Sequence, residues 1–375
     1  MEFRDLKRQY EYNKNAIDTA IQSVINNTQF IGGKPVNELE EKLASYVGVK
    51  HCITCANGTD ALELALMAWG IGEGDAVFVP DFTFFSTAEV VPCVGATPVF
   101  VDVDKDTFNI CPEDLKEAIN RTISEGKLCP KVVVAVDLFG QPADYAKIRE
   151  ISNKYNLLLL EDGAQGFGGS IGDRKACSFG DISTTSFFPA KPLGCYGDGG
   201  AIFTDNDEWA SLIKSYKVHG KGSDKYDNIR IGRNSRLDTI QAAILLAKLD
   251  VFINEEMDAV NRVANYYSKE LKDIVITPVV KEGYISSWAQ YTIRLKDKNE
   301  RDRLQGKLKE NDIPSMVYYV KPLHKQGAFV TDVGDLMLSS SEELCNTVLS
   351  LPMHPYLVSK EIDSVVGVVK GMFGY

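Results

Sequence analysis

The chain has 375 residues, 44% of them apolar and 25% charged, long enough to bury extensive cores without disulfides or metals. Its 41 basic and 52 acidic residues leave a net charge of −11, which argues against nucleic-acid and anionic-membrane partners. The start MEFRDLKRQYEYNKN lacks the apolar core of a secretory signal, and no run approaches the ~18 apolar residues of a membrane span. A cytoplasmic location is expected.

Between residues 50 and 205, short β-branched runs at 51–55, 76–79, 98–101, 132–137, 157–161, 184–188 and 201–204 alternate with helical patterns at 60–69, 86–94, 112–120 and 145–155. That alternation predicts a mainly parallel sheet covered on both faces, with ligands at the carboxyl ends of its strands. A helical run follows Asp238, with Ile240, Ala243, Ile244, Ala247 and Leu249 on one stripe. Another covers 258–273. Short elements then follow: strands at 289–295 and 315–319, helices at 300–310, 342–349 and 360–369. This predicts a large α/β domain over 1–250, with an N-terminal arm at 1–35, and a small α+β C-terminal domain over 251–375.

Five segments carry candidate chemistry. NGTDA (57–61) places Gly58, Thr59 and Asp60 at a helix start, where free N–H groups favour phosphate; Thr59 or Asp60 could equally be a simple cap. PDFTF (80–84) offers Phe84 to stack on a flat ring, or as a core aromatic. LLLLEDGAQGFGG (157–169) ends a buried strand in Glu161 and Asp162, with Gln165 three residues on. A carboxylate there can keep a pyridinium nitrogen protonated, or cap a following helix. SFFPAKPLGCYGDGG (186–200) sets Lys191, alone, in a Gly/Pro-rich loop after a strand ending in Phe187-Phe188. Such a lysine can form an imine with an aldehyde cofactor, or be an ordinary solvated lysine. GRNSRLDTIQA (232–242) opens the long helix with cap-type Asn234 and Ser235, and Arg236 is a candidate anion clamp. Phosphate loop, stacking aromatic, carboxylate and lysine, each directly after a strand, together compose a pyridoxal-phosphate (PLP) site.

Other patterns carry less. Cys52 and Cys55 form a C-x-x-C inside a strand, where the two point to opposite faces, so they read as structural. Four scattered histidines give no metal set. His219 reads as a surface or dimer-contact residue, and His324 follows the tyrosine pair 318–319 closely enough to border a substrate site. The glycine spacing of GAQGFGG does not fit a dinucleotide fold.

From FRDLKRQY through NGTDAL, PDFTFFSTAE, VDLFGQPAD, EDGAQGFGG, SFFPAKPLGCYGDGGA and NSRLDTIQAAIL to LPMHPYL, the chain resembles the DegT/DnrJ family of sugar aminotransferases. These share the PLP fold type I (aspartate-aminotransferase-like) architecture: a large domain with a mainly parallel mixed sheet and a smaller α+β domain. The resemblance implies Lys191 as Schiff-base lysine and proton shuttle, Asp162 at the pyridine nitrogen, and Gln165 near the ring hydroxyl. It implies Gly58, Thr59, the Asp60 amide and Ser186 at the phosphate, and Phe84 on the ring. Asn234 would reach the cofactor of a partner subunit, giving a homodimer with shared active sites. Thr28, Phe30, Ala190, Arg236, Tyr318 and Tyr319 would line the nucleotide-sugar site. L-glutamate would be the amino donor, with pyridoxamine phosphate as intermediate, in bacterial polysaccharide or amino-sugar synthesis. The segments 186–201 and 234–245 most resemble the branch acting on UDP-2-acetamido-2-deoxy-3-oxo-glucuronate. That branch has glycine and tyrosine where this chain has Thr28 and Phe30, a His-Tyr pair at Tyr318-Tyr319, and serine at Ala190. Those differences keep open a dTDP-linked 3-keto or 4-keto-6-deoxyhexose substrate. A non-catalytic regulatory protein on the same fold is the alternative of another class.

Overall fold

The computed structural model describes residues 1–224, 226–329 and 336–374. Two helices, α1 (Leu6–Asn27) and α2 (Lys34–Val47), come first; the arm is thus largely helical, with Asp5 capping α1 by accepting the Arg8 amide at 2.9 Å. There follow β1 (His51–Cys55), α3 (Gly58–Ala68), β2 (Asp75–Pro80), α4 (Ser86–Cys93), β3 (Thr97–Val101), α5 (Pro112–Glu125), β4 (Cys129–Val136), α6 (Tyr145–Tyr155) and β5 (Leu158–Asp162). A small hairpin, β6 (Ser170–Ile171) and β7 (Arg174–Lys175), precedes β8 (Ile182–Ser186), β9 (Gly200–Thr204) and α7 (Asp207–Tyr216).

Seven of these strands form one sheet in the order β1-β9-β8-β5-β4-β2-β3. Neighbours from β8 to β3 run parallel, while β9 is antiparallel to both its neighbours. The strand runs are apolar throughout because both faces are covered. On β2, Val77 and Val79 pack with α3, α4 and α7, while Ala76 and Phe78 pack with α5 and α6. Cys52 and Cys55 enter different cores, as alternation on β1 requires.

Helix α8 (Thr239–Val251) passes through a π-helical turn, Phe252–Glu256, into α9 (Met257–Leu271). A short strand, β10 (Tyr284–Ile285), joins the β6–β7 hairpin. A second core is built from α9, the antiparallel pair β11 (Tyr291–Arg294) and β12 (Val348–Leu351), α10 (Lys298–Glu310) and α12 (Ser359–Phe373), with α11 (Ser339–Thr347) beside it.

Four sequence expectations shift. The strand expected at 184–188 is Ile182–Ser186, because Phe187 turns away to pair its amide with the Gly199 carbonyl at 2.7 Å. The helix starts after Asp238 as expected, but the cap-type residues Asn234 and Ser235 do not cap it; Asp238 stands at the cap position and the Ser235 amide donates to the Lys217 carbonyl at 2.9 Å. Residues 315–319 form a single bridge, Met316 to Ser350, rather than a strand. The helix expected at 342–349 ends at Thr347, where the chain passes directly into β12.

Candidate active site

The carboxyl edge of the sheet gathers the ends of β1, β2, β5 and β8. At the end of β5, adjacent residues diverge by strand alternation. Glu161 is fully buried and structural: it accepts the amides of Cys177, Phe179 and Gly180 at 2.5, 2.6 and 3.1 Å and the Ser183 hydroxyl at 2.7 Å. Asp162 faces the other way. It accepts the Thr87 hydroxyl at 2.9 Å and the Ala164 amide at 3.2 Å. No helix follows it, so it caps none; residues 164–168 are turns.

The loop after β8 carries Lys191, whose amide donates to the Phe188 carbonyl at 2.8 Å. Burial lowers its amine pKa from the ordinary lysine value, and the Asp162 charge opposes that shift. Burial correspondingly raises Asp162, against the pull of Lys191 and its hydrogen bonds. The charges of the two groups act on each other, Asp162 buried and Lys191 half-buried, an arrangement that can tune a lysine for covalent chemistry.

At the β1–α3 turn, Asn57 is the helix cap; its side chain accepts the Asp60 amide at 2.8 Å. The cap is therefore neither Thr59 nor Asp60, and the Asp60 amide already has an internal partner. Gly58 lies flat against Ser186, since a Cβ there would stand 2.8 Å from the serine Cβ. The Thr59 and Ser86 hydroxyls lie 2.7 Å apart, and Ser86 donates to Glu89 at 3.0 Å. Gly58, Thr59 and Ser186 thus converge on one helix N-terminus, which suits a phosphate dianion. Phe84 is 55% exposed, not a core aromatic.

Gln165 accepts the Phe139 amide at 2.7 Å and donates to the Tyr319 hydroxyl at 3.2 Å. Tyr319 packs edge-on to Phe82 and Tyr318, with centroids at 5.9 and 5.7 Å. This chain of contacts brings Gln165, Tyr318 and Tyr319 to the strand end that holds Asp162. His324 does not border solvent: it is buried on Asp81, which accepts its amide and its Nδ1 side at 2.7 Å each.

A second group forms around the start of α8. Thr28 ends α1 with φ 51°, Phe30 accepts the Thr239 amide at 2.9 Å, and Ile31 bridges Asp238. Ser235 accepts the Ala56 amide at 3.1 Å, docking the 234–236 segment under the β1–α3 turn; Asn234 remains exposed and Arg236 partly so. Ala190 is exposed beside Lys191. Phe30 is joined to the start of α8, not to Lys191, and the Thr28 amide bonds back to the Ile25 carbonyl within α1.

Sequence reasoning missed Thr87, Asn57 and Arg4. Thr87 was legible as a hydroxyl one helical turn after Thr83. Arg4 had no such signal: its guanidinium donates to the backbone carbonyls of Lys191 and Pro192 at 2.9 and 3.2 Å.

The donor set fits PLP: a helix start flattened by Gly58 for phosphate, a buried carboxylate for the pyridine nitrogen, and a half-buried lysine for the aldehyde. Sheet and site define an α/β chain of the PLP fold type I class. Residues 11–370 match the DegT/DnrJ/EryC1/StrS aminotransferase family, and the chain belongs to that family. It is 46% identical to the UDP-2-acetamido-2-deoxy-3-oxo-D-glucuronate aminotransferase of Pseudomonas aeruginosa, over 97% of this chain and 98% of that one. It is 39% identical to a pleiotropic regulatory protein of Geobacillus stearothermophilus, over 96% and 95%. The crystal structure of a family aminotransferase from Brucella abortus superposes with a TM-score of 0.97 at 50% identity, covering all of both chains. Among the described residues, no helix is long and apolar enough to cross a membrane.

Proposed function

We propose that this chain is a cytoplasmic PLP-dependent transaminase that moves an amino group from L-glutamate to a keto group of a nucleotide-linked sugar. A UDP-linked 3-oxo-2-acetamido sugar or uronate is the substrate this reading favours, in keeping with the P. aeruginosa relative. The observation that carries the reading is the convergence at one sheet edge of Asp162, held by Thr87 and the Ala164 amide at the end of β5, of Gly58 against Ser186 at the start of α3, and of Lys191 in the loop after the neighbouring parallel strand β8. When bound, the cofactor supplies the electron sink. Asp162 fixes the charge at the ring nitrogen, oriented by Thr87 and the Ala164 amide. Lys191, its amine pKa lowered by burial, would take up and return the donor's proton as base and then acid. Gly58, Thr59 and Ser186 hold the phosphate end and Phe84 covers the ring. Gln165 and Tyr319 line the side facing the ring hydroxyl, and Tyr318, Ala190, Arg236, Thr28 and Phe30 line the sugar-nucleotide site.

A homodimer with shared sites belongs to the same proposal. Asn234 is exposed, and the large apolar residues Phe30, Ile31, Phe84, Phe188, Ile229 and Ile231 are 45% or more exposed along the segments that flank the site. Such exposure favours burial against a second copy. The pair Lys191–Asp162 weighs against a purely regulatory role. The test is mass spectrometry of products from L-glutamate and a panel of UDP- and dTDP-linked 3-keto and 4-keto sugars. An aminated UDP-3-oxo-2-acetamido sugar is the expected product, and failure to aminate any of the panel would overturn the reading.

A further inference from the structure

The loop that presents Lys191 is poor in internal pairing. Pro189 and Pro192 have no N–H, and Gly194 is pressed so close to the loop that a Cβ there would stand 2.4 Å from the Pro189 carbonyl oxygen. Residues 192–195 are buried, so the carbonyls at 191, 192 and 194 need partners from elsewhere. They find them on distant side chains. One nitrogen of Arg4, Nη2, donates to the carbonyls of Lys191 and Pro192 at 2.9 and 3.2 Å. The buried Lys248 amine donates to the Gly194 carbonyl. Gln241 both donates to the Tyr196 carbonyl at 3.2 Å and accepts its amide at 2.8 Å.

Arg4, like Lys248, makes no salt bridge among the described residues, although Asp5 and Arg8 on the same stretch both do, and its side-chain hydrogen bonds go to the lysine loop. The stretch that carries it is fixed on the far side as well. The Phe3 carbonyl accepts the Met353 amide at 3.3 Å, and Arg8 makes a two-pronged bond to Glu361 at 2.7 and 2.8 Å. Phe3 also meets the Tyr318 ring edge-on at 6.2 Å. Residues 3 and 4 therefore touch the candidate sugar-facing tyrosine and the lysine-bearing loop at once.

We infer that Arg4 is a positioning residue for Lys191, clamping the loop through two successive carbonyls so that the N-terminal arm is part of the active-site machinery. The inference rests on the reading of Lys191 as the cofactor lysine. The clamp acts on geometry: one planar NH2 of the guanidinium aims its two N–H bonds at two successive backbone carbonyls, a direction that an ammonium on a flexible stem holds less rigidly. Loss of the fork leaves two carbonyls unpaired and lets Lys191 drift, and a displacement of ~1 Å can slow a reaction by about 100-fold.

The test uses PLP-loaded full-length protein and the single-turnover reaction with L-glutamate, followed by visible absorbance, together with hydrogen exchange of peptides spanning 186–197. For Arg4→Met, loop amides should exchange at least about tenfold faster. The maximal rate should fall by about 10- to 100-fold, while half-saturation by glutamate moves less than roughly threefold. Arg4→Lys should recover part of the rate. An Arg4→Met protein that exchanges and reacts like the wild type overturns the inference. If Arg4→Met does not fold, Arg4→Lys decides: a slower rate with faster loop exchange supports the clamp, and wild-type behaviour in both overturns it. Failure of the underlying reading shows separately, as glutamate turnover that survives in Lys191→Ala, whereas loop exchange in Arg4→Met reports the clamp whichever lysine holds the cofactor.

Discussion

The hydroxyl of Thr87, in the first turn of α4, donates to Asp162 at the end of β5 across 2.9 Å. Two elements 75 residues apart in sequence thereby act together to aim a buried carboxylate, and the bond favours its ionised form against the upward push of burial. Thr87→Val, near-isosteric, removes that donor. Turnover should fall by about tenfold, with a stability change of about 1 kcal/mol. Steady-state kinetics beside a thermal melt check both, and unchanged turnover would detach Thr87 from the site.

Glu161, next door, should behave in the opposite sense. It satisfies three amides and a hydroxyl around the 177–183 turn. Glu161→Ala should cost at least about 3 kcal/mol of stability, since several charge-assisted bonds are lost together. The readout is denaturant unfolding. A fully stable variant would show that the turn is held by something else.

Phe84 offers a separation of binding from folding. Because the ring is more than half exposed, Phe84→Ala should leave the melting temperature within about 2 °C of the wild type, as ordinary surface substitutions do. The PLP dissociation constant should rise by roughly tenfold if the ring stacks on the cofactor. Equal affinity would remove Phe84 from the site.

Acid should loosen the contact between the N-terminal arm and the C-terminal segment. Arg8 holds the Glu361 carboxyl at about 2, chiefly by hydrogen bonding. That stabilisation is present above the ordinary glutamate range and is lost as pH falls toward 2. His354 is buried, neither ring nitrogen has a hydrogen-bond partner among the described residues, and burial, then Arg4, push it down to about 4. An unfolded histidine takes its proton near 6.5, so stability also declines as pH drops from about 6.5 to 4. Hydrogen exchange of residues 1–20 should rise first between pH 6 and 4 and again below; His354→Asn should flatten the first step. Flat protection down to pH 3 would rule out both steps.

What was legible in the sequence follows one physical rule. Groups placed by strand ends could be read, because a buried apolar run fixes where a strand stops: Asp162 after four leucines, Thr59 after HCITC, Lys191 beyond the β8 strand. Groups placed by backbone carbonyls could not. Arg4 acts on oxygens that every residue carries, 187 and 188 positions away. The start of α8 after Asp238 was legible, but its cap was not: Asn234 and Ser235 have cap chemistry, yet Ser235 uses its hydroxyl on the Ala56 amide instead. The apolar run at 315–319 suits a strand, but it makes only the bridge to Ser350 beside β12. Helix α1 was subsumed in the arm, since only four of its 22 residues are buried and its pattern is mostly polar.

The proposed chemistry stands or falls with Lys191 as the residue that carries the cofactor. Borohydride reduction of the PLP-loaded protein, followed by tryptic mapping, reads that residue out. The Lys191–Pro192 bond resists trypsin, so the relevant peptide runs from 176 to 214, with Lys191 its one internal lysine. The expected result is the reduced cofactor's mass on Lys191 in that peptide, and its absence in Lys191→Ala. Cofactor fixed on any other lysine of the wild-type protein would refute the assignment.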